Sequence, residues 1–484
     1  MEKLSDRVID IAKRRGFFWP AFEIYQGCAG FYTYGPLGVL LKLNMERVIR
    51  NWFVREEGCL LLEAPTLTTE DPWVASGHVK SFTDMTIECE KCGEAYKGEQ
   101  ITGEELGLKE TQELIEKKKI KCPKCGGKLG SPYDYNLMFK TYIGPGKSKI
   151  SGYLRPETAQ TTYMDFKRLY DIARKQIPFG VIQFGKSFRN EISPRKGLIR
   201  LREFSQAEVQ FFVNPKEKKH PKFKEIEDFV VNVLERQGTV KRVRMGDLVK
   251  HGLSEWIAYF LARSIQLFEK MGIDKNKLRC RQHTETELAF YSKDTWDVEF
   301  LSETFGRVEL VGIADRTDYD LKRHQDLSKQ DMSVNGAIPH VIEVAYGIDR
   351  PLYCVMESCI KKDNDRIYFE FPPNIAPYQV AVFPLVSKDK LPEKALEVYK
   401  LLFNSGFLVL YDEGFIGKVY YRQDEAGTPF CVTIDYDTLK NGDVTIRNRD
   451  NQKQVRVLIK DLPEVLGKLF KKEIEFEKAG KVFK

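Results

Sequence analysis

The chain has 484 residues, of which 42% are apolar, and it carries a formal net charge of +7. This length exceeds what one hydrophobic core serves, so we expect two or three domains. The apolar content excludes a disordered chain, and the mild basicity permits a nucleic-acid partner without requiring one.

The first residues give no indication of a targeting segment. The stretch MEKLSDRVIDIAKRRG is amphipathic and has no apolar signal-peptide core, and no apolar run reaches the length of a membrane span. We therefore expect a cytoplasmic protein without membrane association. In that compartment the ten cysteines are thiols or metal ligands.

The amino-terminal region combines a predicted helix at residues 4–15 with a glycine-rich stretch at 27–38. Residues 39–54 have the apolar spacing of a second helix, which leads into a strand at 59–67 that contains Pro65. A long helix joined to an apolar strand suits a subunit interface. It equally suits an ordinary buried helix–strand pair.

Two cysteine knuckles follow, CEKCG and CPKCG, and their thiols belong to Cys89, Cys92, Cys122 and Cys125. Such knuckles let four thiolates reach one tetrahedral zinc ion, which would be structural because no position is left for water. The 29 residues between the pairs predict a helix with Thr102 and Glu105 in a capping box. The alternative is that the knuckles bind no metal.

A predicted strand at 136–142 precedes the segment RPETAQ at 155–160, in which Glu157 lies near the start of a helix. A glutamate in a first helical turn can simply complement the helix dipole. From this segment alone, Glu157 fits either a structural role at the helix start or a role in a functional site.

The stretch at 184–212 predicts a long antiparallel hairpin whose turn is a basic loop with Pro194 and Gly197. One face of it presents two arginines, two carboxylates and one aromatic ring, from Arg189, Glu191, Arg200, Phe204 and Glu208. Arginine forks bind phosphate, and an aromatic ring can stack on a base. The alternative is a solvated hairpin with salt bridges.

The next segment predicts a second insert at 214–279, with helices at 222–236 and 253–271 and a basic strand at 240–244. Residues 280–318 return to strands, and they place Glu309 and Arg316 on a strand and the turn after it. A strand at 340–347 then meets a helix whose first turn contains Arg350. A cation there opposes the helix dipole, which favours an anion-binding role such as phosphate.

A proline-rich boundary at 371–377 precedes a change of pattern to alternating strands and helices. The rhythm predicts a compact α/β domain of about 110 residues with a mainly parallel sheet.

The segments GYLRPETAQ, FRNEISPRKGLIRLREFSQAE and VIEVAYGIDR, with GCAGFYTYGPLG, ASGHVKSFTD and NLMFKTYIGPG, resemble the glycyl-tRNA synthetases of the archaeal and eukaryotic homodimeric type. This family belongs to class IIa of the aminoacyl-tRNA synthetases. The resemblance covers nearly the whole chain and implies an α+β fold. It implies an antiparallel catalytic sheet with a zinc-ribbon-like insert and a helical insert, followed by an α/β anticodon-binding domain.

The implied division of the chain assigns three segments to the catalytic domain, two to inserts and one to the anticodon-binding domain. The catalytic segments are 1–88 with motif 1, 131–213 with motif 2 and 280–372 with motif 3. The cysteine-containing insert is 89–130, the second insert is 214–279, and the anticodon-binding domain is 373–484.

The resemblance also implies the site residues. An ATP site with Mg²⁺ would be formed by Arg189, Asn190, Glu191, Arg200, Leu201, Phe204, Glu309, Leu310 and Arg350. Among these, Arg189, Glu191 and Arg350 would be catalytic. A glycine site would be formed by Glu157, Glu208, Arg316, Glu343 and Ala345. The last residue departs from the serine that is usual in the family, so a hydroxyl contact to glycine would be missing.

The expected activity is ligation of glycine to tRNA(Gly) by a homodimer that uses ATP, with structural zinc in the insert. Two alternatives stay open. One is a non-catalytic tRNA-binding paralogue, which the retained motif arginines disfavour. The other is a class IIa ligase for another small amino acid, which the three glutamates disfavour.

Overall fold

The computed structural model describes residues 3–194, 197–236, 238–289 and 291–483. Arg195 and Lys196, which belong to the predicted basic loop of the hairpin, lie outside the described residues.

Helices occur throughout the described chain. They are α1 (Leu4–Arg15), α2 (Pro36–Asn51), α3 (Asp71–Ser76), α4 (His78–Ser81), α5 (Gly98–Thr102), α6 (Leu108–Lys118), α7 (Ala159–Met164), α8 (Phe166–Ile172), α9 (Met245–Lys250), α10 (Glu255–Lys270), α11 (Tyr319–Ser328), α12 (Asp349–Cys359), α13 (Leu391–Asn404), α14 (Ile416–Ala426), α15 (Tyr436–Asn441) and α16 (Leu462–Phe470).

Strands alternate with these helices. They are β1 (Phe18–Pro20), β2 (Tyr32–Tyr34), β3 (Leu60–Leu62), β4 (Leu67–Thr69), β5 (Thr83–Glu88), β6 (Ala95–Lys97), β7 (Tyr133–Asn136), β8 (Phe139–Ile143), β9 (Ile150–Leu154), β10 (Phe179–Phe188), β11 (Glu203–Val213), β12 (Val230–Leu234), β13 (Lys241–Arg244), β14 (Leu278–Gln282), β15 (Asp294–Ser302), β16 (Gly306–Thr317), β17 (His340–Gly347), β18 (Ile360–Asp363), β19 (Arg366–Phe369), β20 (Val380–Pro384), β21 (Val409–Tyr411), β22 (Phe430–Ile434), β23 (Asp443–Asn448), β24 (Gln454–Leu458) and β25 (Lys481–Phe483).

Within the described residues, nine strands form the central sheet in the order β13-β12-β14-β15-β16-β17-β11-β10-β3. The pairs are antiparallel except β12–β14 and β10–β3, which are parallel. This confirms the predicted antiparallel sheet and its hairpin, in which β10 and β11 pair from Phe179↔Phe212 to Phe188↔Glu203.

The central sheet has a hydrophobic layer on each face, because successive side chains of a strand point to opposite sides. Ile182 and Phe211 belong to a core shared with α2, α10 and α12. Their neighbours Val181 and Phe212 belong to a second core shared with α7 and α8. Phe212 and Glu208 lie an even number of residues apart on β11, so Glu208 points to the α7 side.

The prediction of a helix at 222–236 is wrong. A single helical turn at Phe223–Glu225 is followed by β12, which pairs with β13 and β14. The apolar residues of this segment fit helical spacing, but Val230, Val231 and Val233 are β-branched and pairing in the sheet decides the outcome. The predicted helix at 253–271 is confirmed as α10, and the basic strand is confirmed as β13.

Three further local predictions need correction. The predicted strand at 59–67 is divided into β3 and β4, and the predicted strand at 136–142 is divided into β7 and β8. In the cysteine-containing insert the long helix is present, but it begins at Leu108. Thr102 ends the short helix α5, so it does not form a capping box with Glu105.

The carboxyl-terminal domain has a sheet in the order β21-β20-β22-β23-β24-β25 within the described chain. Strands β21, β20 and β22 are parallel, whereas β23, β24 and β25 add antiparallel pairs. The prediction of a mainly parallel sheet is therefore wrong, because three of the five strand pairs are antiparallel, and of these only β23 and β24 are joined by a short turn without an intervening helix. Among the described residues, no helix has the length and apolar character needed to cross a membrane.

Candidate active site

A cavity of about 320 Å³ lies against the central sheet where β11, β15, β16 and β17 meet the hairpin loop and the first turn of α12. It brings together most of the residues predicted from the sequence. Those that line it are Glu157, Arg189, Glu191, Arg200, Leu201, Phe204, Glu208, Glu309, Leu310, Glu343, Ala345 and Arg350. Two predicted site residues, Asn190 and Arg316, do not line this cavity.

Three buried carboxylates converge at one end of the cavity. Glu208 on β11 accepts hydrogen bonds from the backbone N–H and the hydroxyl of Thr158 at 2.8 and 2.6 Å. Glu157 accepts from the amide of Gln160 at 2.9 Å. Glu343 on β17 is the third carboxylate, and each of the three is at most 7% exposed.

The electrostatics of these carboxylates differ. Burial and the charges of Glu343 and Glu157 raise the pKa of Glu208 to about 7. Burial also raises the pKa of Glu343, and the charge of Arg316 only partly opposes this. Burial would likewise raise the pKa of Glu157, but the nearby His78 and Arg316 outweigh it and hold this pKa well below its usual range. A small ammonium group placed among these carboxylates would favour their ionised forms.

Ala345 lies on β17 directly opposite Glu208 on one side and Gly312 on the other. Its methyl group is the only side-chain atom it adds to this end of the cavity.

Arg316 is completely buried and does not line the cavity. Its Nε and Nη2 donate to Asp320 at 2.7 and 2.9 Å, and its Nη1 donates to Glu343 at 3.0 Å. The ring of Tyr291 covers the guanidinium at 3.7 Å. This arginine therefore faces Asp320 and Glu343, and Glu157 lies 3.7 Å from its Nη2. The predicted contact with the carboxylate of glycine stays a prediction.

The other end of the cavity is cationic. Arg350 in the first turn of α12 donates from Nε to the carbonyl oxygen of Ile199 at 2.8 Å and from Nη1 to Glu309 at 2.9 Å. Burial by itself would raise the pKa of Glu309. The ion pair with Arg350 more than offsets this effect, so the pKa of Glu309 is lowered. One guanidinium edge of Arg350 is thus held by the protein while the side chain remains 34% exposed.

Arg189 lies between two aromatic rings, 5.3 Å from the centre of the Phe82 ring and 5.4 Å from that of Phe204. Its Nε donates to the carbonyl oxygen of Pro156 at 3.2 Å. Arg200 and Glu191 face each other at 3.8 Å in the hairpin loop. These contacts hold the arginines and the ring of Phe204 in one region, as a nucleotide site requires.

Sequence reasoning missed a group of residues in the cavity wall, namely His283, Glu287, Tyr291 and Asp297. The ring of His283 and the carboxylate of Asp297 are 2.7 Å apart. Burial and the charge of Glu309 raise the pKa of Asp297 to about 6. The available signal was the alternation of acidic and apolar residues along β15, which places Asp297 and Glu299 on one face.

The carboxylates of Glu309 and Asp297 fit a Mg²⁺ ion, since it takes oxygen ligands and is usually held by one or two carboxylates together with substrate phosphates. Both lie beside Gly312, where an added Cβ would be 3.6 Å from Asp297 Oδ1 and 3.7 Å from Glu309 Oε1. They therefore face the same space near Arg350.

The four insert thiols fit a zinc ion. Their sulfur atoms all lie within 4.8 Å of one another. The Cys89–Cys125 and Cys92–Cys122 sulfur atoms are 3.6 and 3.8 Å apart. A tetrahedral site with Zn–S bonds of about 2.3 Å requires sulfur–sulfur separations of about 3.8 Å.

Comparison with known proteins agrees with this arrangement. Residues 146–359 match the model of the tRNA synthetase class II core domain (G, H, P, S and T), and residues 379–469 match that of the anticodon binding domain. The RNA binding domain of threonyl-tRNA synthetase from Cryptosporidium parvum Iowa II shares the fold, with a TM-score of 0.61 at 17% identity over 95% of this chain and 97% of that chain.

Proteins named glycine–tRNA ligase are similar over nearly the whole chain. That of Methanocaldococcus jannaschii is 40% identical, covering 97% of this chain and 100% of the relative. That of Thermococcus sibiricus is 41% identical, covering 95% and 97%. That of Methanothrix thermoacetophila is 38% identical, covering 98% of both. With both domains present and this identity over nearly its full length, the chain belongs to the glycine–tRNA ligase family of class II aminoacyl-tRNA synthetases.

Proposed function

We propose that this protein is a glycine–tRNA ligase. It activates glycine with ATP to glycyl-adenylate and pyrophosphate, and it transfers glycine to the 3′ end of tRNA(Gly). The observation that carries the proposal is the single cavity in which three buried carboxylates and Ala345 adjoin Arg189, Phe204 and Arg350. An ammonium group and a triphosphate fit its two ends.

In the first step, a carboxylate oxygen of glycine attacks the α-phosphorus of ATP and the bond to pyrophosphate breaks. The carboxylate is already ionised at neutral pH, so no general base is needed. Arg189 neutralises the α-phosphate and Arg350 the γ-phosphate, and Phe204 stacks on adenine. Catalysis is therefore positioning and charge neutralisation. When bound, Mg²⁺ on Glu309 and Asp297 supplies further neutralisation of the phosphates.

Glycine is selected by charge and size. Glu157, Glu208 and Glu343 surround the ammonium group, and a larger side chain clashes with the wall at Ala345. Arg316 acts as a positioning residue, because it fixes Glu343 through a hydrogen bond of 3.0 Å. Steric exclusion of this kind needs no editing domain, since every competing amino acid is larger than glycine.

In the second step, a ribose hydroxyl of the terminal adenosine attacks the carbonyl carbon of the adenylate and AMP leaves. The domain that follows β19 holds the anticodon. A homodimer is favoured by exposed apolar residues on α2 and on β3, the edge strand of the central sheet, where Val39, Leu43 and Leu61 are 41%, 50% and 56% exposed. We propose a cytoplasmic enzyme with structural zinc in its insert.

The test is ATP–pyrophosphate exchange with each of the twenty amino acids in the absence of tRNA. Exchange with glycine alone supports the proposal. Exchange with a different amino acid would mean that the carboxylate cluster has been misinterpreted. Silence with all twenty, followed by no charging of total tRNA, would identify a non-catalytic paralogue instead.

A further inference from the structure

A second cavity of about 280 Å³ lies between the cysteine-containing insert and the nucleotide end of the active site. Four residues of its wall, Arg189, Glu191, Arg200 and Arg350, also line the first cavity. The opposite wall is formed at the edge of the insert and beside it, by Ser81, Phe82, Thr83, Asp84, Lys97 and Leu137. The strands that flank the insert, together with Lys97 of the insert itself, therefore face these arginines across the cavity.

The hairpin loop is hydrogen-bonded to the insert side at several points. The backbone N–H of Asn190 donates to the carbonyl oxygen of Leu137 at 2.7 Å, and its side-chain amide donates to the hydroxyl of Tyr135. The hydroxyl of Ser193 donates to Gln100 in α5 at 2.9 Å. Asn190 stands between Arg189 and Glu191 in the chain, so these bonds determine where its two neighbours point.

The three-stranded sheet β6-β5-β7 joins the cysteines to these contacts. Cys89 directly follows β5, and Asp84 on β5 pairs with Tyr135 on β7. The buried thiols of Cys89 and Cys122 form a small core with three apolar side chains, those of Ile87, Ile115 and Leu129. A unit of about 40 residues buries too little apolar surface to hold its structure without a metal or a covalent link.

We propose that the sheet β6-β5-β7, which carries the cysteine-containing insert, positions the segment Arg189–Asn190–Glu191 for ATP, and that Tyr135 on β7 is the positioning residue. The inference rests on the proposed function, because ATP is the ligand in question. The three carboxylates at the other end of the cavity accept hydrogen bonds from donors outside the cysteine-containing insert, namely Thr158, Gln160, Gln210 and Arg316. Loss of the Tyr135 hydroxyl therefore affects ATP more than glycine.

The test uses the full chain with Tyr135→Phe, and Tyr133→Phe on the same strand as the matched control. Binding of α,β-methylene ATP is measured by calorimetry, together with zinc content and the KM values for ATP and glycine in the exchange reaction. Tyr135→Phe is expected to weaken binding of the analogue about fivefold, the effect of one lost hydrogen bond. The KM for glycine and the zinc content stay unchanged, and Tyr133→Phe behaves as the wild type.

Chelation of the zinc is expected to weaken analogue binding and to abolish the difference between the wild type and Tyr135→Phe. A double-mutant cycle with Asn190→Ala should show that the two substitutions are not additive. The proposal is overturned if Tyr135→Phe binds the analogue as the wild type does, or if its KM values for ATP and glycine rise together. A wild type that binds the analogue but gives neither glycine exchange nor charging of total tRNA would refute the proposed function and leave the comparison of analogue binding valid.

Discussion

Arg350 and Glu309 form an ion pair of 2.9 Å that joins the first turn of α12 to β16. Arg350 belongs to the predicted motif 3, Glu309 belongs to the strand β16 that precedes it in the chain, and both side chains line the cavity. Because a second donor of Arg350 is bonded to the Ile199 carbonyl at 2.8 Å, the guanidinium is anchored before any ligand arrives. A preorganised cation of this kind stabilises charge that develops in a transition state.

Arg350→Ala is expected to lower glycine-dependent ATP–pyrophosphate exchange by about 100-fold or more, because the charge on the transferred phosphates is then left uncompensated. The side chain is 34% exposed, so the thermal midpoint should change little. Arg307→Ala, at an exposed position on the same strand as Glu309, is the matched control. Exchange within about threefold of the wild type would exclude the proposed role in phosphate binding.

Local patterns in the sequence predicted the elements that carry the nucleotide end. The hairpin β10–β11 and the β17–α12 junction have strong alternation, glycine at the turns and charged residues at their ends. The four cysteines were predicted as one site because each Cys-x-x-Cys pair is local in the sequence. The fold of the insert then brings the two pairs together. Where pairing partners are distant, prediction was weaker, and β12 was misassigned because its partners β13 and β14 were not identifiable from its own residues.

The glycine end depends on contacts between distant residues. Glu157, Glu208 and Glu343 come from three segments, and only the family resemblance placed them together. Asp320 was missed although it accepts two hydrogen bonds from Arg316, so the sequence interpretation of that arginine did not include this ion pair. A charged residue on a strand has many possible partners, and its sequence neighbours do not select one.

The insert is expected to hold one zinc ion per chain, since its four thiols have the spacing of a closed tetrahedral site. Cys122→Ser should remove the zinc and lower the thermal stability, as seen by elemental analysis and calorimetry. Cys28→Ser, at an exposed thiol outside the insert, should keep the full zinc content. Wild-type protein without zinc after purification in zinc-containing medium would contradict the assignment.

Glycine binding is expected to release a proton near neutral pH. Burial and two neighbouring carboxylates raise the pKa of Glu208 to about 7 from 4.5. Between these pH values the folded protein holds a proton that the unfolded chain has lost, so this group's contribution to stability falls as pH rises. An ammonium ligand favours the ionised carboxylate, so glycine affinity should rise from about pH 6 to 8.

Proton release is measured by titrating glycine in two buffers of different ionisation enthalpy. Glu208→Gln should abolish the release, flatten the pH dependence and raise the KM for glycine. Glu203→Gln, at a more exposed position on the same strand, should leave all three unchanged. Equal binding heats in both buffers for the wild type would show that no proton is released on binding and would contradict this prediction.

Ala345→Ser should lower the KM for glycine several-fold and leave the KM for ATP unchanged. Residue 345 lies opposite Glu208 and Gly312, so a hydroxyl there enters the glycine end and can hydrogen-bond to the ligand, which is worth about 1 kcal/mol. Ala345→Val should instead block glycine by filling the space. If Ala345→Val keeps wild-type exchange, the methyl group of Ala345 does not define the size of the glycine site, and selection against larger amino acids must come from another wall.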